Sequence, residues 1–387
     1  MNGTEPLERF RWTNFPEGTE PLDPDRLADG FVAGGIACGI KGDGLPDLGM
    51  VACPDGEVAS AIVLTTNAAA AAPVTICREE LDREAIRAAV VTSGNANCAT
   101  GERGLEVARA IRGSAASELG LETGQVAIAQ TGVIGVQLDP GPIEKGIGDL
   151  SGDLRPDGVG RFAEAILTTD NGSKSIALRS GGVEVTAQAK GAGMIEPGLA
   201  TMLCFIQTDA VVDRPASALE SAVGGSFNRI SVDGQMSTND TVLLQASGTS
   251  GTEMPDGLLE AITLELALAI VADGEGATRV CRIGVDGAAG EDEADRVARA
   301  IANSPLVKTA LFGRDPNWGR VLQAAGAALP GEDLSGLDER AITADELAGP
   351  SEQVELSIDL DRGESSGHAY FSDLTHRYIE INAEYTT

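Results

Sequence analysis

Two hydrophobic periods alternate along this chain, and their alternation restricts it to a mixed α/β architecture. The segment GERGLEVARAIRGSAASELG sets Leu105, Ala108, Ile111 and Ala115 at helical spacing, with Gly120 placed to end the helix. The same period returns at Leu259, Ile262 and Leu266, and again in EDEADRVARAI through Ala294, Val297, Ala298 and Ile301. Against these, VELSIDL alternates strictly, so Val354, Leu356, Ile358 and Leu360 share one face of a strand. A length of 387 residues supplies material for two domains and ample core. The stretch from Leu329 to Ser351, rich in Asp, Glu, Gly and Pro, reads as a surface insertion with short helices at most.

Charge removes several classes of function. Against 28 basic residues stand 59 acidic ones, a formal net charge of −31. A field of that sign repels phosphate backbones and anionic headgroups, so neither nucleic acid nor membrane is expected as a partner. Only five of the basic residues are lysines: Lys41, Lys145, Lys174, Lys190 and Lys308. Many acids with few lysines is the composition of a protein working in concentrated salt, where self-repulsion is screened. No apolar run has the form of a secretory signal or a membrane span, and a cytoplasmic protein is expected. The six cysteines form no CxxC pair and read as reduced thiols. With only His368 and His376 available, and both far along the chain from any cysteine, no metal site is expected.

Glycine-rich loops invite a phosphate-binding reading. In GGIACGIKGDG, Gly34 and Gly39 have the spacing, but Ile40 takes the slot that needs lysine and no Ser or Thr follows. A tight strand-to-strand turn explains it better. Four polar clusters end apolar runs: SGNANCATG, QTGVIG, DGQMSTND and DGEGAT. Each alone is more often a turn or a helix cap. Four together exceed what turning corners requires.

KGAGMIEPGLATMLCFIQTDA, Lys190 to Ala210, opens as a flexible loop and closes as a buried strand, and its apolar run begins with the hydroxyl of Thr201. A threonine hydroxyl is a poor nucleophile without a base beside it, and one available base is its own α-amine once that becomes a chain terminus. Such an amine has a pKa of about 7.7 to 8. Attack of the Thr201 hydroxyl on the Ala200 carbonyl would shift the acyl group onto oxygen, and hydrolysis would free the amine. The plainer alternative is that Thr201 begins a strand.

The segment KGAGMIEPGLATML resembles the cleavage segment of the ornithine acetyltransferase family, the glutamate N-acetyltransferases of arginine biosynthesis. The likeness continues in order through GFVAGGIACGIK, SGNANCATG, QTGVIG, LTTDNGSKS, SFNRISVDG, STNDTVLL, DGEGATR, SPLVKTALFGRDPNWGR and DLTHRYIEINAEYTT, from about Gly30 to Thr387. It implies an N-acyltransferase that moves acetyl from N2-acetylornithine to glutamate by a ping-pong route, after self-cleavage between Ala200 and Thr201. Thr201 would be nucleophile and acetyl carrier, with Thr131 and Gly132 as oxyanion hole. Substrate contacts would fall on Thr168, Lys190, Thr201, Glu275, Asn382 and Thr387. A cationic Lys190 suits an amino-acid carboxylate, and Glu275 suits an ammonium group. The implied fold is a layered αββα sandwich of the self-cleaving amidase type over residues 1–283, with a smaller α/β domain over 284–387. The implied assembly is an α2β2 heterotetramer of the cleaved pieces, needing no metal or organic cofactor, with acetyl-CoA a possible co-substrate. Gln235 and Met236 depart from the usual VDGDTSTND. A self-processed amidase with water as acceptor is the enzymatic rival, and a binding protein that never matures is the non-catalytic one.

Overall fold

The computed structural model describes residues 9–42, 44–196 and 202–384. Four layers stack in the larger part. A four-stranded sheet runs in the spatial order Val32–Ile36, Leu48–Ala52, Ala88–Asn95, Val126–Val133. Its first pairings are antiparallel and its last is parallel. Helix Gly101–Leu119 sends Ala108, Ile111 and Ala115 into the core beneath this sheet, as the period requires, and Gly120 ends it at φ 65°. Helices Ala72–Glu80 and Pro140–Ser151 pack beside it.

The second sheet has six strands, in the order Glu20–Pro21, Lys174–Ser180, Val183–Lys190, Leu203–Thr208, Thr241–Ala246, Ala59–Leu64. Strand alternation divides its residues between two cores. Leu203, Phe205 and Leu243 join the core of the first sheet, whereas Cys204, Ile206, Val242 and Leu244 pack with helices Pro215–Gly225 and Leu258–Ala272. Between the sheets lies the short helix Val159–Ala165. Its Phe162 ring meets Phe205 edge-on at 5.3 Å, and a Cβ on Gly49 would stand 2.9 Å from that ring. The layers are therefore helix, sheet, sheet, helix.

A five-stranded sheet forms the smaller part, in the order Ile230–Ser231, Ser365–Ser372, Val280–Ala288, Gln353–Asp359, Ile342–Thr343. Val354, Leu356, Ile358 and Leu360 are all buried in its core, with helices Glu291–Ala302 and Trp318–Ala328. Strand Val280–Ala288 runs through residues 283 and 284 without interruption.

Two loops have more structure than their composition conveys. The stretch from Leu329 to Ser351 is not a simple surface insertion: Ile342, Ala344 and Leu347 are buried, and Ile342–Thr343 pairs along the sheet edge. A few apolar residues among many acids suffice to close the end of the third core and cover an edge strand. GGIACGIKGDG joins an antiparallel strand pair, as expected. Its backbone N–H groups at Cys38, Gly39, Ile40 and Lys41 donate to the buried Asp47 carboxylate at 2.6, 3.1, 2.6 and 2.9 Å. The amide cradle that a phosphate loop offers an anion is filled here by the chain's own carboxylate.

Candidate active site

The four polar clusters converge. Asn239 of DGQMSTND donates from Nδ2 to the carbonyls of Ala96 at 2.7 Å and Gln130 at 2.8 Å, which ties it to SGNANCATG and QTGVIG. Asn97 reaches the Gln130 side chain at 2.9 Å. Around this knot opens a pocket of about 160 Å³, and its wall includes Thr131, Gly132, Thr168, Lys190, Glu275 and Asn382. Six residues singled out from the sequence thus share one cavity. Ala200, Thr201 and Thr387 lie outside the described residues.

Local geometry explains why each residue stands where it does. Thr131 and Gly132 close strand Val126–Val133, where the register with Gly94 and Asn95 slips. Gly132 has φ 130°, and a Cβ there would lie 2.3 Å from the Gly94 carbonyl carbon, so no other residue fits. Lys190 ends strand Val183–Lys190 and is 2 % exposed. Glu275 follows helix Leu258–Ala272, and its Oε2 accepts from Asn382 Nδ2 at 2.7 Å. A Cβ on Gly193 would meet the Glu275 carboxyl at 2.6 Å, which accounts for a glycine at that point of KGAG. Helix His376–Glu384 brings Asn382 and Tyr378 to the wall.

Lys190 is the electrostatic centre. Its Nζ donates to Thr168 Oγ1 at 2.6 Å and to Thr131 Oγ1 at 3.2 Å. An ammonium has no acceptor capacity, so both hydroxyls accept from it and keep their own protons to donate. Burial lowers the Lys190 pKa below that of an ordinary lysine, and the charge of Asp170 opposes that shift. Burial alone would raise the Asp170 carboxyl, but Lys190 and Lys174 hold it well below the usual carboxylate range.

Two carboxylates that sequence reading did not single out hold the chain on either side of residues 197–201. Asp233 accepts from the N–H groups of Met194 at 2.6 Å and Ile195 at 2.9 Å, and Met194 takes a left-handed φ of 59°. Asp240 Oδ1 accepts from Met202 N–H at 3.0 Å, and its side chain is fully buried beside Ser237 and Thr65. Burial raises the carboxyls of both, that of Asp240 strongly. The two acids are the first and last residues of the cluster DGQMSTND, which sequence reading marked only as a whole. Gln235, one of the two departures from the family pattern, lines the pocket, and the Met236 carbonyl accepts from Asn67 Nδ2 at 2.9 Å. Tyr378 was also missed; burial pushes its phenol up to about 12, so it stands in the wall as a neutral hydroxyl.

Among the described residues no group of three or more His, Cys, Asp or Glu side chains is placed to hold a metal ion, and no helix is long and apolar enough to cross a membrane. The described cysteines are unpaired.

Comparison with known proteins gives the site a context. The model of the ArgJ family matches residues 32–387. The arginine biosynthesis bifunctional protein ArgJ of Thermus thermophilus is 44% identical over 385 residues, which cover 94% of this chain and 99% of that protein. The protein of the same name from Archaeoglobus fulgidus is 40% identical over 381 residues, 92% of this chain and 98% of that one. Among solved structures, ornithine acetyltransferase of Mycobacterium tuberculosis complexed with ornithine is 33% identical over 46% of this chain and 98% of that chain, with a TM-score of 0.44.

Proposed function

The chain belongs to the ArgJ family, and from that premise we propose how its pocket carries out acetyl transfer. It is a glutamate N-acetyltransferase of arginine biosynthesis that takes acetyl from N2-acetylornithine. Relatives bear the name bifunctional, and acetyl-CoA is proposed as a second acetyl donor.

In the proposed route the chain first cleaves itself between Ala200 and Thr201. The freed α-amine of Thr201, with an ordinary pKa near neutrality, takes the proton as the Thr201 hydroxyl attacks the acetyl carbonyl. Negative charge then develops on the carbonyl oxygen, and the Thr131 hydroxyl and Gly132 N–H receive it. Collapse breaks the C–N bond, and the α-ammonium returns its proton to the departing amine of ornithine. The glutamate amine attacks acetyl-Thr201 by the reverse sequence. Lys190 takes the α-carboxylate of either substrate, and Glu275, steadied by Asn382, takes the side-chain ammonium of ornithine. Thr168 and Thr387 complete the substrate wall. No step calls on a metal or an organic cofactor.

One observation carries this reading. Lys190 donates to both Thr131 and Thr168, which leaves the Thr131 proton free for an oxyanion and, among the described residues, leaves the cation without a bonded carboxylate. Incubation with N2-acetylornithine labelled in its acetyl group tests it. Label should appear on glutamate when glutamate is supplied. Release of free acetate at a rate independent of glutamate would replace the transferase with an amidase.

Assembly of the pieces 1–200 and 201–387 as an α2β2 heterotetramer, a cytoplasmic site of action and adaptation to salt belong to the same proposal. So does the division into units 1–283 and 284–387. A net charge of −31 motivates the salt adaptation. Thermal unfolding should move to higher temperature as potassium chloride rises from about 0.05 M, where the Debye length exceeds 10 Å, to 1 M, where it is about 3 Å; a midpoint insensitive to salt removes that element.

A further inference from the structure

Behind Lys190 lies a chain of buried charges that acetyl transfer, as described, does not use. The Asp170 side chain is fully buried. Its Oδ1 accepts from Lys174 Nζ at 2.7 Å and from Gly191 N–H at 2.6 Å, and its Oδ2 accepts from Thr168 N–H at 3.1 Å. Thr168 and Gly191 belong to the two segments that the Lys190–Thr168 bond joins inside the pocket. A single carboxylate therefore fixes both ends of that bond. Lys174 continues the chain by donating to Asp273 Oδ2 at 2.6 Å, and Asn171 donates to Asp273 from its N–H at 3.1 Å and its Nδ2 at 2.8 Å. Asp273 stands two residues before Glu275.

We propose that Asp170 is a positioning residue for acetyl transfer: it keeps Lys190 a cation aimed into the pocket and, through Lys174 and Asp273, sets the spacing between Lys190 and Glu275. This rests on the substrate roles given above to Lys190 and Glu275. That spacing would select substrates whose carboxylate and side-chain ammonium are one ornithine-length apart.

Among the described residues the charged groups that act on Lys190 are Asp170, Lys174, Asp240 and Glu275, and Lys41 interacts with it from the neighbouring loop. Burial depresses the Lys190 pKa and Asp170 raises it, while Lys174 lowers it further. Transfer requires the protonated form, so activity is lost as pH rises through the folded-state pKa. In Asp170→Asn, which keeps the shape and an acceptor for Gly191 N–H, the alkaline limb of kcat/KM should move to lower pH, because the charge that raises the Lys190 pKa is gone. In Lys174→Met it should move the other way. A purely structural staple would lower the height of both profiles and shift neither.

A second readout needs no turnover. The chain has only five lysines, so protein carrying 13C at lysine Cε gives few signals, and Lys190→Met identifies the one from Lys190. The expected result is a Lys190 titration displaced downward in Asp170→Asn and upward in Lys174→Met. Titration at the wild-type pH in both variants overturns the inference. If Asp170→Asn does not fold, the sign of the Lys174→Met shift decides alone. Variants that show these shifts, from a wild type that transfers no acetyl to glutamate, would remove the proposed function and leave the electrostatic arrangement standing.

Discussion

Two clusters of cations in this molecule are built on opposite plans. On the polar face of the five-stranded sheet, Arg229 bonds Asp295 and Arg282 bonds Glu355, in a cavity that also takes in His368. Each guanidinium is neutralised by an adjacent carboxylate, and all four side chains are between a quarter and a third exposed. His368 is pushed down to about 4, by burial first and then by Arg282 and Arg229, so it stays neutral across the physiological range. In the pocket, by contrast, the Lys190 ammonium is buried against two hydroxyls, and Asp170 and Glu275, whose charges act on it, are bonded to Lys174 and Asn382. A cation bonded to its own carboxylate holds structure together. A cation bonded to neutral hydroxyls keeps its field for a ligand.

Substitutions can break that contrast, beginning with the largest expected effect. Thr131→Val removes a hydroxyl aimed at the developing oxyanion, and kcat should fall about 10²- to 10³-fold with the fold retained. Steady-state kinetics on purified, processed protein provide the check. Lys190→Met deletes a charge-assisted hydrogen bond to the substrate carboxylate, expected to cost about 1.5 to 3 kcal/mol, or roughly 10- to 100-fold in kcat/KM. Both substrates should suffer, since both carry that carboxylate. Glu275→Gln keeps a partner for Asn382 and should raise KM for N2-acetylornithine about tenfold, while KM for glutamate, which has no side-chain ammonium, changes little. An equal rise for both would remove the ammonium role. The smallest effect belongs to the other cluster: Arg282→Met should alter unfolding free energy by no more than about 1 kcal/mol and leave acetyl transfer unchanged. A large loss of transfer there would erase the distinction between the clusters.

Much of the pocket was legible in the sequence, for identifiable reasons. The cluster QTGVIG was marked by its place at the end of an apolar run, and the resemblance to the family singled out Thr131 and Gly132 within it. Lys190 was conspicuous because lysine is rare here; three of the five lysines prove to be buried, Lys174 and Lys308 being the others. Asp170, Asp233 and Asp240 were hidden for the opposite reason. In a chain with 59 acids nothing local separates a solvated carboxylate from one that clamps backbone amides, and only folding brings Asp233 to Met194 or Asp170 to Gly191. Helices with a clear 3.6-residue period, such as Gly101–Leu119, were read correctly because one face repeats over five turns. The segment Leu329–Ser351 was underestimated because four buried apolar residues, Leu329, Ile342, Ala344 and Leu347, scattered among acids carry no period.

In the proposed mechanism Thr201 is released by self-cleavage and then carries the acetyl group. Intact mass measured after brief incubation of the purified protein with N2-acetylornithine, in high salt and in low salt, tests it most directly. The expected result is two fragments that divide between Ala200 and Thr201, with one acetyl unit on the C-terminal fragment. A single uncleaved and unmodified chain in both buffers would contradict it.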